Sequence, residues 1–346
     1  SSSSPAPWSR PDGRDRLDSL SGLTGRPGFR RGRAVAVYTE VPAEALEAFL
    51  GGYETGALVS AKGIAEGVSN SNFLVETTTA RYILTLYERR IDLAELPWFI
   101  ALMEHLAGRG LPVPRPIRNR SGQALSRLAG KAACLIQYLP GVSVSQPTGP
   151  QARAAAEALA RLHLAAADFT APRANALGPA HWQATARELG PRLDTIEPGL
   201  SALVGAALGR IDADWPDGLP RGTIHADLFP DNVLMLGARV TGLIDFYFAC
   251  TDIRAYDLAV TEGSWAFAPD GTGFDAAKAA ALRDGYAATH GLSDAESAAL
   301  PVLCRGAALR FLLTRTYDWL NTPADALVTR KDPLAYLRRL DHYRAA

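Results

Sequence analysis

The hydrophobic pattern of the chain changes near residue 140, and this change restricts the possible folds more than any other feature. Before it, apolar and polar residues alternate with a period of two in the runs NFLVET and RYILTLY, which predicts strands joined by a turn at TTTA. After Gly141, runs such as PQARAAAEALARLHLAAADF carry apolar residues at helical spacing. The two patterns predict an α+β fold, with an antiparallel sheet first and a mainly helical part second.

Two helices and a hinge complete the β-rich part. PAEALEAFLGGY has apolar residues at helical spacing and ends at two glycines, and LAELPWFIALMEHLAGRG is amphipathic. ACLIQYLPG is typical of a buried strand that ends at a Pro-Gly pair. We therefore expect an N-terminal lobe at residues 36–140 and a C-terminal lobe at residues 141–346, with the hinge near Gln137 to Gly141.

Residues 1–35 differ from the rest in composition. This segment is rich in Ser, Gly, Pro and Arg and has no hydrophobic period. Because it cannot bury enough apolar surface to order itself, we expect a disordered extension. It also lacks the apolar core of a secretory signal.

Charge and cysteine content exclude some classes of protein. Lys+Arg and Asp+Glu both number 36, so the formal net charge is zero, which argues against binding to nucleic acid through bulk charge. The three cysteines are far apart and show no metal-ligand spacing, so we expect reduced thiols in a cytoplasmic protein. No apolar run approaches the roughly 20 residues of a membrane span. We expect neither a nucleic-acid nor a membrane partner.

One short stretch, IHADLFPDNVL, concentrates polar residues in apolar surroundings. His225, Asp227 and Asn232 in this stretch fit the pattern H-x-D-x-x-x-x-N. Asp245, in LIDF, follows Asn232 by thirteen residues, and the intervening VLMLGARVTG is a strand-turn-strand pattern. A hairpin of that length would bring Asp245 back to Asn232.

These residues match the needs of phosphoryl transfer. The reaction requires a group that holds the acceptor hydroxyl and oxygen ligands for Mg²⁺, and ATP phosphates complete such a metal shell. Asp227 fits the first task, and Asn232 and Asp245 fit the second. A single Asp or Asn in a loop often only caps a helix or completes a turn, and Asp231 is interpreted in that way. The three-part spacing favours the catalytic interpretation of the others.

A cover for the phosphates is predicted in GIAEGVSNSNF, between two strands. Its small polar residues can present backbone N–H groups to phosphate oxygens; they are Gly67, Ser69, Asn70 and Ser71. The segment matches neither a Walker A loop nor G-x-G-x-x-G, and a plain hairpin loop would have the same composition.

Together, HADLFPDNVL, GLIDFYFAC and AYDLA resemble the aminoglycoside phosphotransferase and choline kinase superfamily, which has a two-lobed protein-kinase-like fold. AVYTEV, YILTLYERR, ELPWFIALMEHLAGRGLPVPRPI and RGAALRFLLTRTYDWLNTP narrow this resemblance to the bacterial homoserine kinases of that superfamily, which are unrelated to the galactokinase-like ones. The resemblance extends from Ala36 to the C-terminus. It implies Mg²⁺-dependent transfer of the ATP γ-phosphoryl group to the side-chain hydroxyl of L-homoserine, the step before threonine synthase.

The resemblance also implies roles for individual residues. Asp227 would be the catalytic base, with His225 shaping its loop, and Asn232 and Asp245 would be the Mg²⁺ ligands. Asp257, in AYDLA, would hold the catalytic loop from behind. The backbone from Gln137 to Leu139 would contact adenine at the hinge.

Two departures from the family pattern leave alternatives open. Related kinases carry a phosphate-binding lysine on the third strand, where this chain has Thr85. The positive charge for the phosphates would have to come from Arg89, Arg90 or Lys62. Glu95 and Glu104, on the next helix, either pair with that cation or lie on a solvated helix face. After AYDLA the chain reads TEGSW where a sequence like LNAW is expected. The alternatives are a kinase of another small hydroxyl acceptor, of the choline, methylthioribose or aminoglycoside type, and a nucleotide-binding pseudokinase.

Two arginines stand inside the otherwise apolar run RGAALRFLLTRTYDWL. A buried arginine needs a partner, and Arg310 and Arg315 have two possible ones. Either arginine could bind the carboxylate of homoserine through its guanidinium fork. The alternative is a structural salt bridge, with Asp318 or Glu262 as the partner.

Overall fold

The N-terminal part contains an antiparallel sheet of five strands in the order β1-β2-β3-β5-β4. The computed structural model describes residues 39–64, 70–88, 92–322 and 330–345. The strands are β1 (Leu58–Ile64), β2 (Asn70–Thr77), β3 (Arg81–Tyr87), β4 (Leu125–Leu128) and β5 (Lys131–Gln137). Two helices accompany the sheet, α1 (Ala43–Leu50) and α2 (Leu96–Gly108).

The two faces of this sheet have different neighbours. Residues that alternate along β2 and β3, including Phe73, Val75 and Leu84, form a buried cluster with Leu46 and Leu50 of α1. The opposite face carries the cross-strand row Asn72, Thr85 and Cys134. Cys134 belongs to the larger core that also includes α2 and the helices after residue 141. The period-two pattern therefore places polar and small side chains on the face toward the helical part.

The C-terminal part is built from seven α-helices within the described residues: α3 (Gly149–Ala165), α4 (Pro179–Leu189), α5 (Leu200–Asp214), α6 (Arg254–Trp265), α7 (Ala276–His290), α8 (Asp294–Asn321) and α9 (Leu334–Ala345). Two antiparallel ribbons lie among them. One pairs β6 (Arg221–Ile224) with β9 (Cys250–Ile253), and the other pairs β7 (Val233–Leu236) with β8 (Arg239–Leu243). Short 3₁₀ segments occur at Gly190–Thr195, Pro230–Asn232 and Phe246–Phe248.

Local sequence signals explain where the long helices begin. Thr148 and Gln151 form a reciprocal capping box at the start of α3, and Ser293 and Glu296 form another at the start of α8. Within the described part of the chain, α8 is long and apolar enough to cross a membrane by length and composition, but 67% of that window is buried in the protein. We therefore interpret α8 as a core helix.

The predicted α+β organisation is confirmed, and so is the hairpin between IHADLFPDNVL and LIDF, which is formed by β7 and β8. The three cysteines are buried free thiols, as predicted. The pairing of β6 with β9 was not predicted. β5 ends at Gln137 and α3 begins at Gly149, so the lobe boundary at 140/141 falls in the connecting segment and remains our proposal. The extension at residues 1–35 lies outside the described residues.

Candidate active site

The loop that follows β6 carries the predicted catalytic residues and contains a strained peptide. Ala226 has φ of +61°, in the left-handed region, which costs a non-glycine residue about 1–2 kcal/mol. Its N–H donates to Asp257 Oδ1 (2.7 Å), and the N–H of His225 donates to Asp257 Oδ2 (2.6 Å). On the other side, Arg310 Nη1 donates to the Ala226 carbonyl oxygen (2.6 Å). Contacts from α6 and α8 therefore fix the conformation just before Asp227.

His225 connects this loop to the strand end that carries Asp245. Its Nε2–H donates to the Ile244 carbonyl oxygen (3.0 Å), and its Nδ1 accepts the N–H of Asp227 (3.3 Å). Because a carbonyl only accepts and an amide N–H only donates, the two contacts define one neutral tautomer. Burial lowers the pKa of His225, although the nearby Asp257 opposes this effect. The His225 ring also packs on Phe246, with ring centroids 4.8 Å apart.

Asn232 joins Asp227 to the β7–β8 hairpin. Its Nδ2 donates to the Asp227 carbonyl oxygen (2.8 Å) and to Asp227 Oδ2 (3.1 Å). The Ile244 N–H donates to the Asn232 carbonyl oxygen (3.0 Å) and closes the hairpin. Asp245, the next residue along the chain, is thereby brought back close to Asn232. Because Nδ2 faces Asp227, the side-chain oxygen of Asn232 is left as a possible ligand for a cation.

The electrostatics of Asp227 and Asp245 favour a bound cation. Burial raises the pKa of Asp227 to about 8; Arg310 opposes the rise and Asp245 adds to it. Burial and the charge of Asp231 raise the pKa of Asp245 to about 6. The Asp245 side chain is exposed, so solvent screening limits the rise in its pKa. A divalent cation would relieve this repulsion.

The described residues contain no group of three or more His, Cys, Asp or Glu side chains that could hold a metal alone. An ion at Asn232 and Asp245 would therefore need further oxygens, which phosphates supply. This donor set of one amide oxygen and one carboxylate fits Mg²⁺ bound together with a nucleotide. The residues present are compatible with the predicted metal site.

Asp257 is itself held from behind. His163 Nε2 lies 3.0 Å from Asp257 Oδ2, and His163 Nδ1 lies 2.8 Å from the Tyr286 hydroxyl. Burial acts to raise the pKa of Asp257, but the contacts with His163 and His225 outweigh it and hold the pKa below its usual range. Since 94 residues separate His163 from Asp257, their contact could not be predicted from a local pattern.

The predicted phosphate cover is described only in part. Gly67 and Ser69 lie outside the described residues. Asn70 and Ser71 are the first residues of β2, so their assignment to a loop was wrong. Their side chains face Glu88: Asn70 Oδ1 accepts the Glu88 N–H (3.4 Å), and Ser71 Oγ donates to Glu88 Oε1 (2.8 Å). Asn70 therefore contacts the Glu88 backbone, and Ser71 contacts its carboxylate.

At the hinge, the structure separates two residues predicted to contact adenine. The N–H of Gln137 donates to the Arg115 carbonyl oxygen (2.8 Å), so it is committed within the protein. The N–H of Leu139 makes no hydrogen bond to any described residue. Leu139 is therefore the better placed of the two for a contact with a ligand base.

Of the three residues predicted to replace the strand lysine, Lys62 alone lies among the described residues. Thr85 Oγ1 donates to Asn72 Oδ1 (2.8 Å). Lys62 of β1 pairs with Leu74, which places it on the same sheet face as Asn72 and Thr85, and it is exposed. Arg89 and Arg90 lie outside the described residues.

Among the described residues, the two carboxylates near α2 pair with cations outside the sheet. Glu95 accepts from Arg173 (2.7 Å), and Glu104 accepts from Arg118 (2.8 Å). Neither pairs with Lys62, and their alternative pairing with Arg89 or Arg90 lies outside the described residues. Both carboxylates link α2 to segments of the chain that follow it.

Comparison with known proteins places this geometry in a family. The model of the phosphotransferase enzyme family matches residues 60–292. A homoserine kinase of Gluconobacter oxydans is 57% identical over 314 residues, which cover 90% of this chain and 99% of that protein. A homoserine kinase of Xanthobacter autotrophicus is 54% identical over 311 residues, covering 90% and 97%. The chain belongs to the homoserine kinases of the phosphotransferase enzyme family.

Solved structures show the same fold at low sequence identity. Spectinomycin phosphotransferase, solved with ADP and spectinomycin, has a TM-score of 0.65 at 14% identity and covers 89% of this chain and 99% of its own. A microcompartment-associated aminopropanol kinase has a TM-score of 0.64 at 18% identity, covering 88% and 97%. The predicted two-lobed kinase-like fold is confirmed.

Of the two arginines in α8, Arg310 is used inside the protein. It is 1% exposed, and its hydrogen bond to the Ala226 carbonyl replaces the ion pair that we had considered. Within the described residues, neither Arg310 nor Arg315 forms an ion pair with Asp318 or Glu262, so that prediction was wrong. Arg315 is half-buried, and within the described ranges it donates only to the Asp332 carbonyl oxygen (3.2 Å).

Glu262, in the unusual TEGSW segment, is fully buried and accepts two hydrogen bonds from Arg283 (2.7 and 2.9 Å). The Tyr343 hydroxyl also donates to it (3.2 Å). These contacts join α6 to α7 and α9. Glu262 is therefore a packing residue, and the sequence departure gives no reason to prefer another acceptor.

Proposed function

We propose that this protein transfers the γ-phosphoryl group of ATP to the side-chain hydroxyl of L-homoserine and releases O-phospho-L-homoserine and ADP. The reaction belongs to threonine biosynthesis. The observation that carries the proposal is the joining of Asp227, Asn232 and Asp245 in one site, in a chain that is 57% identical to a homoserine kinase over 90% of its length.

Asp227 is the proposed catalytic base. The acceptor hydroxyl gives its proton to the Asp227 carboxylate while its oxygen forms a bond to the γ-phosphorus, and the bond from that phosphorus to the ADP oxygen breaks. Arg310 favours the ionised form of Asp227, which the base requires. The hydrogen bond from Asn232 holds the carboxylate in one orientation.

Asn232 and Asp245 are the proposed ligands of Mg²⁺. The ion, when bound, neutralises charge on the phosphates of ATP. A structural neighbour, amicoumacin kinase, was solved with AMP-PNP and Ca²⁺, and spectinomycin phosphotransferase was solved with ADP. These complexes support a nucleotide and a divalent cation for this protein, and our assignment of Mg²⁺ follows from the hard oxygen donors.

On the nucleotide side, we propose that Leu139 contacts the base through its backbone and that Gly67 and Ser69 cover the phosphates. Lys62 is the proposed phosphate-binding cation, since it lies on the sheet face of Thr85 and is exposed. On the acceptor side, Arg315 is the proposed ligand of the homoserine carboxylate. Arg310 has a positioning role, because its guanidinium holds the catalytic loop.

A coupled assay of ADP release tests the proposal. Homoserine, choline, methylthioribose and an aminoglycoside would be compared at equal concentrations with Mg²⁺ and ATP. We expect turnover of homoserine to exceed the others by at least about two orders of magnitude, since each polar contact is worth tenfold or more. Turnover of another acceptor would reject homoserine, and ATP binding without turnover of any acceptor would indicate a pseudokinase.

A further inference from the structure

The hydroxyl of Tyr336, on α9, is buried and has no hydrogen-bond partner among the described residues. The residue is 1% exposed, and its Oη makes no hydrogen bond to any described residue. A buried polar group in this state costs about 1–3 kcal/mol. The Nε–H of Arg310, also buried, makes no hydrogen bond to a described residue either. Two buried donors near the catalytic loop therefore have no acceptor among the described residues.

The surroundings of Tyr336 connect it to the catalytic loop. Its ring packs against Phe311 (5.0 Å between centroids) and against Phe229 (6.4 Å), which follows Asp227 by two residues. The guanidinium groups of Arg315 and Arg339 lie over the ring, at 4.5 and 4.6 Å from its centroid. The charges of Arg315 and Asp227 both act on the Tyr336 hydroxyl. The hydroxyl is thus close to the group that would activate the acceptor.

The arginines near this hydroxyl differ in how far they are already used. Arg339 donates to three carbonyl oxygens, those of Gly263 (2.7 Å), Ala335 (2.6 Å) and Ala268 (3.0 Å). Arg310 Nη1 is committed to the Ala226 carbonyl. Among the described residues, half-buried Arg315 makes one hydrogen bond, at 3.2 Å, and has no carboxylate partner. Arg315 is therefore the cation with donors to offer.

We infer that the Tyr336 hydroxyl and the Arg315 guanidinium together bind the α-carboxylate of the amino-acid acceptor. This inference rests on the proposed function and names the subsite that selects an amino acid over other small alcohols. A carboxylate offers acceptor oxygens for these donors, and it can take an arginine fork and a phenol O–H at once. Bound there, an amino acid directs its side-chain hydroxyl toward the neighbouring Asp227.

Tyr336→Phe is the first test, because it removes only the hydroxyl. The hydroxyl makes no hydrogen bond within the part of the chain that the structure describes, so the melting temperature should not fall. The KM for homoserine should rise about tenfold or more, as expected for the loss of a hydrogen bond to a charged group. The KM for ATP should not change. A rise in the KM for ATP instead would show that the two residues serve the nucleotide and would overturn the inference.

Tyr343→Phe is the matched control on the same helix. Its hydroxyl donates to buried Glu262, which pairs with Arg283. This variant should lower the melting temperature and leave the KM for homoserine unchanged, the opposite of Tyr336→Phe. Equal effects of the two variants on both quantities would mean that Tyr336 is only a packing residue.

The acceptor 3-aminopropan-1-ol, which is homoserine without its carboxylate, gives the decisive comparison. If the carboxylate meets Tyr336 and Arg315, wild type, Tyr336→Phe and Arg315→Gln should phosphorylate this alcohol with the same kcat/KM. A loss that persists with the alcohol would contradict the inference. If wild type phosphorylates homoserine and Tyr336→Phe has unchanged kinetics, the subsite is wrong and the proposed function stands. If wild type does not phosphorylate homoserine, the proposed function itself fails.

Discussion

The substitution Asp257→Asn should displace the catalytic loop, although Asp257 is not itself a proposed ligand of the metal or substrate. Asp257 is fully buried and accepts three hydrogen bonds, from the N–H groups of His225 and Ala226 and from His163. Asparagine has the same shape but presents an NH₂ group in place of one oxygen. In either orientation of the amide, at least one of these donors loses its acceptor and faces another donor.

The size of the effect follows from those contacts. A hydrogen bond to a charged group contributes about 1.5–3 kcal/mol, and an orphaned buried donor costs about 1–3 kcal/mol. Because the two descriptions overlap, we expect a total loss of about 2–4 kcal/mol in the free energy of unfolding. In a protein of this size that lowers the melting temperature by about 3–6 °C.

Catalysis should suffer more than stability. The left-handed conformation of Ala226 is unfavourable for alanine and depends on the bonds that Asp257 supplies. Once they are lost, the loop relaxes and Asp227 moves from its position. Misplacement of a catalytic group by about 1 Å can lower kcat about a hundredfold. The KM for ATP should change little, because Asp257 does not face the nucleotide.

The assay is steady-state kinetics of the purified variant combined with thermal melting. Asp252→Asn is the matched control: Asp252 is also buried and pairs with Arg221 (2.9 Å) on the β6–β9 ribbon, away from Ala226. It should lower the melting temperature and keep kcat within a few-fold of wild type. If Asp257→Asn melts early but retains wild-type kcat, Asp257 does not position Asp227 and the reasoning is refuted.

Three further predictions concern the site itself. Asp227→Asn should lower kcat by several orders of magnitude with a nearly unchanged ATP affinity, measured by kinetics and calorimetry; retained activity would exclude Asp227 as the base. Asp245→Ala should abolish the rise in melting temperature that Mg-ATP causes in wild type, and a preserved rise would place the metal elsewhere. Lys62→Met should raise the KM for ATP about tenfold, as for a lost charged contact, whereas Lys131→Met, which breaks the pair with Glu88, should leave it unchanged. Equal KM values for the two variants would exclude Lys62 from phosphate binding.

The parts of the site that the sequence predicted are those joined by local contacts. Asp227 and Asn232 are five residues apart, and the β7–β8 hairpin brings Asp245 back over a short stretch of alternating residues. Such contacts depend on strand period and turn position, which are visible in the sequence. The role of Arg310 was not predicted, because its partner, the Ala226 carbonyl, lies 84 residues away and a backbone oxygen has no signature in the sequence.

The errors on the nucleotide side have a different cause. Asn70 and Ser71 were assigned to a loop because small polar residues favour turns. Pairing with β3 instead extends β2 to Asn70, opposite Tyr87, and the contacts with Glu88 satisfy both side chains. Tertiary pairing therefore overrides the local preference at this strand end, where propensity is weak compared with a formed ladder.

The two residues proposed to bind the acceptor lie in a different part of the chain from the catalytic loop. The catalytic loop, the β7–β8 hairpin and Asp257 all lie within residues 60–292, the part that matches the wider family. Arg315 and Tyr336 lie beyond it, on α8 and α9. Tyr336 packs against Phe229 of the catalytic loop, and Arg310, on the same helix as Arg315, donates to the Ala226 carbonyl oxygen. Changes at Arg315 and Tyr336 can therefore alter the proposed acceptor recognition, while Asp257, Asn232 and Arg310 keep the hydrogen bonds that hold the catalytic loop. For this reason the acceptor variants should change KM, and the loop variants should change kcat.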